Sequence, residues 1–279
     1  MKKFQLGCQL NYTIYQPMTI LFNIQVVNNK CQNILQEKLY LNPSLYRDEY
    51  ITSTEKNRFI RVNALTGKIE ISYQATVKLF HYYANNNNIP EVPPANLPVE
   101  TIPYLYPSRY CQSDLLFGLA ESEFGNLNPG YSRVMMICDW IYDKVKYLSG
   151  STNSQTSAFD TARERTGVCR DFAHLGIAFC RALNIPARFV SAYAYNLNPP
   201  DFHACFEAYL GNRWYLFDPT KLVPLTGIIR ISTGRDATDV SFATLFGTFE
   251  MNYQHLFVED ISDFKDHHNV EDFEAIAIY

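Results

Sequence analysis

The sequence has no CxxC pair, no run of lysine and arginine, and no apolar stretch approaching the roughly 18 residues of a membrane span. Each absence removes a class of function. Without CxxC there is no cysteine-rich zinc motif and no thioredoxin-type redox pair, and the odd count of seven cysteines argues against a disulfide framework. Without a basic run, and with a formal net charge of −4, nothing favours nucleic acid or an anionic membrane surface as partner. The opening MKKFQLGCQLNYTIY begins like a signal peptide, but polar residues interrupt it too soon for an apolar core segment. Internal repeats are also missing. The expectation is a soluble, cytoplasmic chain with no metal and no cofactor, most of its cysteines serving as small buried hydrophobes. Oligomeric state is not legible.

Aromatic residues and β-branched alternation are present in quantity. Twenty Tyr and nineteen Phe bring the aromatic share to 15%, which favours strands and packed aromatic cores. Met18 to Val27 and Gly67 to Phe80 alternate and are rich in Ile, Val, Tyr and Thr, with turn chemistry at Asn28-Asn29 and Thr66-Gly67. Residues 1–90 are therefore expected to form a small antiparallel β-sandwich. Six prolines between Asn85 and Ser108 mark 91–112 as a linker or arm.

From Asp114 the period becomes helical. Ser113 or Asp114 as cap and Gly125 as stop bound one helix. Val134, Ile137, Ile141, Val145 and Leu148 give an amphipathic helix from Tyr131 to Leu148. AFDTARERTG reads as a short helix ending at Gly167, and the next helix runs from Cys169 to about Leu183, before Ile185-Pro186. Strand patterns follow at ARFVSAYAY, FHACFEAYL and RWYLFDPT. Helices followed by an antiparallel sheet make 113–279 an α+β domain. Its acidic tail from Phe257 is expected to be solvated, and His267-His268 to be exposed tail residues rather than ligands.

Cys169 stands at the start of a helix, where the dipole and free N–H groups favour a thiolate. A nucleophile there needs a base and an orienting group. Gly211-Asn212 suits a two-residue type II′ hairpin, placing Leu210 opposite Arg213, Cys205 opposite Asp218 and His203 opposite Thr220. His203 and Asp218 then share a face as diagonal neighbours, roughly 7–8 Å apart at Cα. A one-residue slip would separate them. Cys169 as nucleophile, His203 as base and Asp218 as orienter form a complete acyl-transfer set, with the Cys169 N–H free for an oxyanion. Gln155, in the loop before the helix, is the candidate second donor by type. Asp171 suits the first helical turn, whereas Arg170 opposes the dipole and requires some other partner. His174, at i+5 from Cys169, is a poor direct base. Cys205 lies on the face of His203 and can line the site. Tyr193, Tyr195 and Trp214 are candidate cleft residues, with core packing as the ordinary explanation.

TGVCRDFAHLGIAFCRALNIPARFVSAY followed by PDFHACFEAYLGNRWYLFDPT resembles the core of the bacterial transglutaminase-like superfamily. The family pattern is GxCRDxA on the helix, GIPAR on the next strand, then HAxxEVY and WxxxDPT. Asn184 replaces the usual Gly and Ala208 the usual Val. The first 84 residues and Gly234 to Gly247 also resemble regions found in bacterial members. The resemblance implies a papain-like core with Cys169, His203 and Asp218 in the roles above. Members include amide hydrolases, transglutaminases, peptide N-glycanases and inactive proteins. No glycanase-type CxxC module or DxDxDG calcium loop is present. The expectation is thus a cysteine protease or amidase acting on a peptide, protein or amide through a thioester. A transglutaminase using an amine acceptor, or an inactive binding module, are the alternatives.

Overall fold

The computed structural model describes residues 2–262 and 274–278. In chain order these form β1 (Lys2–Ile14), β2 (Met18–Phe22), β3 (Gln32–Asn42), β4 (Arg47–Ile51), β5 (Arg58–Ala64), β6 (Gly67–Leu79) and β7 (Tyr82–Asn85). The helical part brings α1 (Ser113–Phe124), α2 (Tyr131–Lys144), β8 (Lys146–Tyr147), α3 (Ala158–Glu164), β9 (Thr166–Gly167) and α4 (Cys169–Ala182). After it come β10 (Ala187–Ala194), β11 (His203–Leu210), β12 (Arg213–Phe217), β13 (Ile228–Gly234), α5 (Ala237–Val240), β14 (Ala243–Leu245), β15 (Phe249–Asp260) and β16 (Glu274–Ala277). The fold is α+β, as its patterning requires.

The alternation of β1, β2 and β6 buries Phe4, Leu6, Leu10, Ile20, Phe22, Ile71, Tyr73 and Val77 between two antiparallel sheets. Their strand orders are β15-β1-β6-β3 and β14-β2-β5-β4. Both sheets therefore recruit a strand from the far end of the chain. β15 runs along β1 from Phe4↔Asp260 to Ile14↔Phe249, and β14 pairs with β2. The acidic segment expected as a tail from Phe257 thus begins inside an edge strand, and β16 pairs with β7, its Ala275, Ile276 and Ala277 fully buried. His267-His268 lies outside the described residues.

The third sheet, β12-β11-β10-β13, packs α4 and its neighbours α1 and α2 on one face. Its other side meets the sandwich through Tyr193, Ile229 and Ile231, which belong to the same buried cluster as Phe4 and Ile24. Every residue of α4 from Asp171 to Ala182 is buried, so it is a central rather than a surface helix. The proline-rich segment is an arm held on the third sheet: Val92, Leu97 and Tyr104 pack against Tyr209 and Trp214.

Two element boundaries differ from the periodicity. α2 stops at Lys144 instead of Leu148, because Lys146 and Leu148 donate their N–H groups to Arg165 and Gly167 in a parallel β8–β9 bridge. α3 ends with Arg165 in the left-handed conformation (φ 58°), so Gly167 is not its cap. Gly167 is small for a different reason: a Cβ there would sit 2.9 Å from the Cβ of Asp171.

Candidate active site

All seven cysteines are free, and Cys169 alone among them is not buried. Asp171 fixes the helix start beneath it. Its buried carboxylate accepts the Val168 N–H at 3.0 Å and the Thr152 hydroxyl at 2.8 Å, which satisfies one of the donors every helix start leaves open. Arg170 has its partner in the adjacent Asp171 (2.9 Å) and also donates to the Asn153 carbonyl at 2.6 Å. These bonds tie the loop before α3 to the first turn of α4.

β11 and β12 pair in the register read from the sequence, Leu210↔Arg213 through Phe206↔Phe217. The turn itself differs. Gly211 and Asn212 both have positive φ (51° and 63°), the signature of type I′ rather than II′. Either turn gives the same facing, and just beyond the ladder His203 Nε2 lies 2.7 Å from Asp218 Oδ2. Both side chains are sealed from solvent, with 0% and 1% exposure. Cys169 is the next group against the ring. Burial alone disfavours an imidazolium, but Asp218 and Cys169 together outweigh it and hold His203 up at about 10.

The group that meets Cys169 from the loop side is Tyr147, not Gln155. Burial, followed by the charge of the neighbouring Cys169, raises its phenol to about 12. The ring packs on Phe172 at 5.7 Å and stays 42% exposed. Tyr147 was hidden because a helical period continues across it. Its position comes from the β8–β9 bridge, which pairs Tyr147 with Gly167, two residues before Cys169. Gln155 is exposed, its backbone N–H bonded to the Asn153 side chain at 2.8 Å.

The three expected cleft aromatics go elsewhere. Tyr193 is fully buried and donates to the Ile24 carbonyl at 2.9 Å, between the third sheet and the sandwich. Tyr195 packs on Phe4. Trp214 packs on Tyr104 and Tyr209 beside the hairpin turn, six ladder positions from His203, about 20 Å along the strand. Core packing decides all three. Cys205 is sealed, with burial pushing its thiol well above the usual range. His174 is also sealed: its Nε2 accepts the Ala237 N–H at 3.1 Å, and burial pushes it down to about 3. Among the described residues no group of three or more His, Cys, Asp and Glu is arranged to hold a metal, and no helix is long and apolar enough to cross a membrane.

Residues 118–219 match the transglutaminase-like superfamily, and residues 1–100 match the bacterial transglutaminase N-terminal domain. A solved structure of a candidate cysteine protease from Cytophaga hutchinsonii is 45% identical, with a TM-score of 0.94 over 99% of this chain and 97% of that one. Uncharacterised proteins of Mycobacterium leprae and Mycobacterium tuberculosis are each 34% identical, over 146 and 116 residues. This chain spans 52% and 37% of their lengths. With a matched core, a matched N-terminal domain and a full-length structural relative, the chain belongs to the transglutaminase-like superfamily of thiol-dependent enzymes.

Proposed function

We propose that this protein cleaves amide or peptide bonds through a thioester at Cys169, with water as the usual acceptor. The observation that carries the reading is the buried His203–Asp218 pair, with Cys169 near enough to add to the rise of the imidazole. An imidazolium held beside the sulfur favours the thiolate, which attacks the carbonyl carbon. The oxyanion that forms takes the Cys169 N–H, and the partly exposed Tyr147 ring shifts to offer its O–H as the second donor. His203 gives its proton to the departing amine, and the C–N bond breaks to leave the thioester. Water then loses a proton to His203 and attacks the thioester, releasing the acid and restoring the thiol. Asp218 keeps Nε2 engaged, so that Nδ1 is the nitrogen that works. Water is favoured over an amine as the abundant acceptor at a site whose Tyr147 is partly exposed.

The test begins with iodoacetamide and peptide mapping across pH. Cys169 is expected to react alone, because the other six thiols are buried. Amide substrates are then screened for amine release in water containing ¹⁸O. Cys169→Ala is expected to abolish release with the fold retained. An unreactive Cys169 in folded protein would overturn the enzyme reading in favour of a binding module. Product carrying amine instead of ¹⁸O would turn it to transamidation.

A further inference from the structure

Asp218 has two carboxylate oxygens, and one of them faces His203. The other, Oδ1, accepts the backbone N–H of Thr220 at 2.9 Å and the Thr220 hydroxyl at 2.7 Å. The strand ladder ends at Phe206↔Phe217, so sheet pairing does not hold Asp218. A carboxylate turns easily about its last torsion, and rotation would carry Oδ2 off the imidazole. Thr220 is built to prevent that. It is buried, and a β-branched side chain keeps few χ1 choices. Its Oγ1 also accepts the Leu222 N–H at 3.3 Å. The next residue, Lys221, is pinned in a left-handed conformation (φ 53°), bonded to Asp139 of α2 at 2.7 Å and lying over the Tyr142 ring.

We propose that Thr220 is a positioning residue: its hydroxyl and amide lock Oδ1 of Asp218 so that Oδ2 stays on His203. The proposal deepens the acyl-transfer reading and rests on it for its effect on rate, but not for its effect on the histidine.

The test compares Thr220→Val, which removes the hydroxyl at nearly constant volume, with Thr220→Ser, which keeps it. His203 is followed by NMR titration of its ring, and Cys169 by its alkylation rate. In Thr220→Val the His203 titration is expected to move down from about 10 toward the ordinary 6.5. Alkylation near neutral pH is expected to fall about 10- to 100-fold, the usual loss when an outer-shell partner of a site residue is removed. Thr220→Ser is expected to restore both. If Thr220→Val does not fold, Thr220→Ala removes the hydroxyl without filling its place and carries the same test. A folded Val or Ala variant with wild-type titration and alkylation overturns the proposal, as does a Ser variant that behaves like Val. The titration needs no turnover. An unreactive wild-type Cys169 would overturn the acyl-transfer reading alone, and an unmoved His203 beside a reactive Cys169 would overturn the role of Thr220 alone.

Discussion

Two buried histidines in one core carry opposite charge preferences, and the difference lies in what touches them. His203 has a carboxylate at 2.7 Å and stands at about 10. His174 is stacked on Tyr110 and has its Nε2 accepting from a backbone amide, so burial wins and it falls to about 3. The raised His203 contributes stability that is complete below the unfolded value near 6.5 and is lost as pH climbs toward 10. The depressed His174 contributes stability that is complete above 6.5 and is lost as pH falls toward 3. His174→Phe is therefore expected to flatten the acid side of the urea-midpoint profile. The difference from wild type should grow by about 1.4 kcal/mol per pH unit below 6.5; parallel acid slopes would show that His174 is not the group responsible. Tyr147→Phe belongs to the same scale. It is expected to lower kcat about 10²- to 10³-fold, the cost of one oxyanion donor, while Cys169 alkylation stays near wild type. Unchanged kcat would remove Tyr147 from the oxyanion site. Cys169, His203 and Asp218 were legible in the sequence because residue type and local register suffice to bring the last two together. Tyr147 was not, since its place beside Cys169 is set by a pairing with residues twenty positions away.

Short elements carry more of the site than long ones. The amphipathic spacing through Leu148 is real as far as Val145, which is buried, but the hydrogen bonds of Lys146 and Leu148 go to the β9 segment instead of back along the helix. Local periodicity reports only what a helix would bury, not which carbonyl is available across space. The β11–β12 hairpin is the converse case: a two-residue turn leaves one register, so the facing of His203 and Asp218 follows from counting even when the turn type is misjudged. The β8–β9 bridge is expected to be sensitive to bulk. In Gly167→Ala the new methyl meets the Asp171 Cβ at 2.9 Å and forces β9 away from the start of α4. About 1–3 kcal/mol of stability should be lost to overpacking, with a larger proportional loss of kcat as Tyr147 leaves Cys169. Calorimetry and steady-state rates check it; a variant with full activity would mean that the bridge does not set the site.

At the scale of the molecule, the chain closes on itself. β14 and β15 complete the two N-terminal sheets, and β16 inserts beside β7 and β12. The proline arm reads from composition as a boundary, yet it does not separate two independent sheet systems, and composition cannot show this because strand partners far apart in sequence leave no local trace. Tyr193, Ile229 and Ile231 of the third sheet share one buried cluster with Phe4 and Ile24 of the sandwich. Heating is therefore expected to give one cooperative transition for both halves. The final strand is the sharpest test of this closure. Ile276 is fully buried against Val190, Cys205 and Leu216, and Cys205 lies on β11 two residues from His203. Ile276→Ala leaves a cavity there and is expected to cost about 2–5 kcal/mol, read as a lower urea midpoint with an unchanged slope. Because the cavity opens beside β11, thiol labelling of Cys205 should become measurable well below the unfolding temperature, while it stays silent in the wild type. A variant that loses less than about 0.5 kcal/mol, with Cys205 still protected, would mean that the C-terminal strand rests on the fold without helping to hold the site.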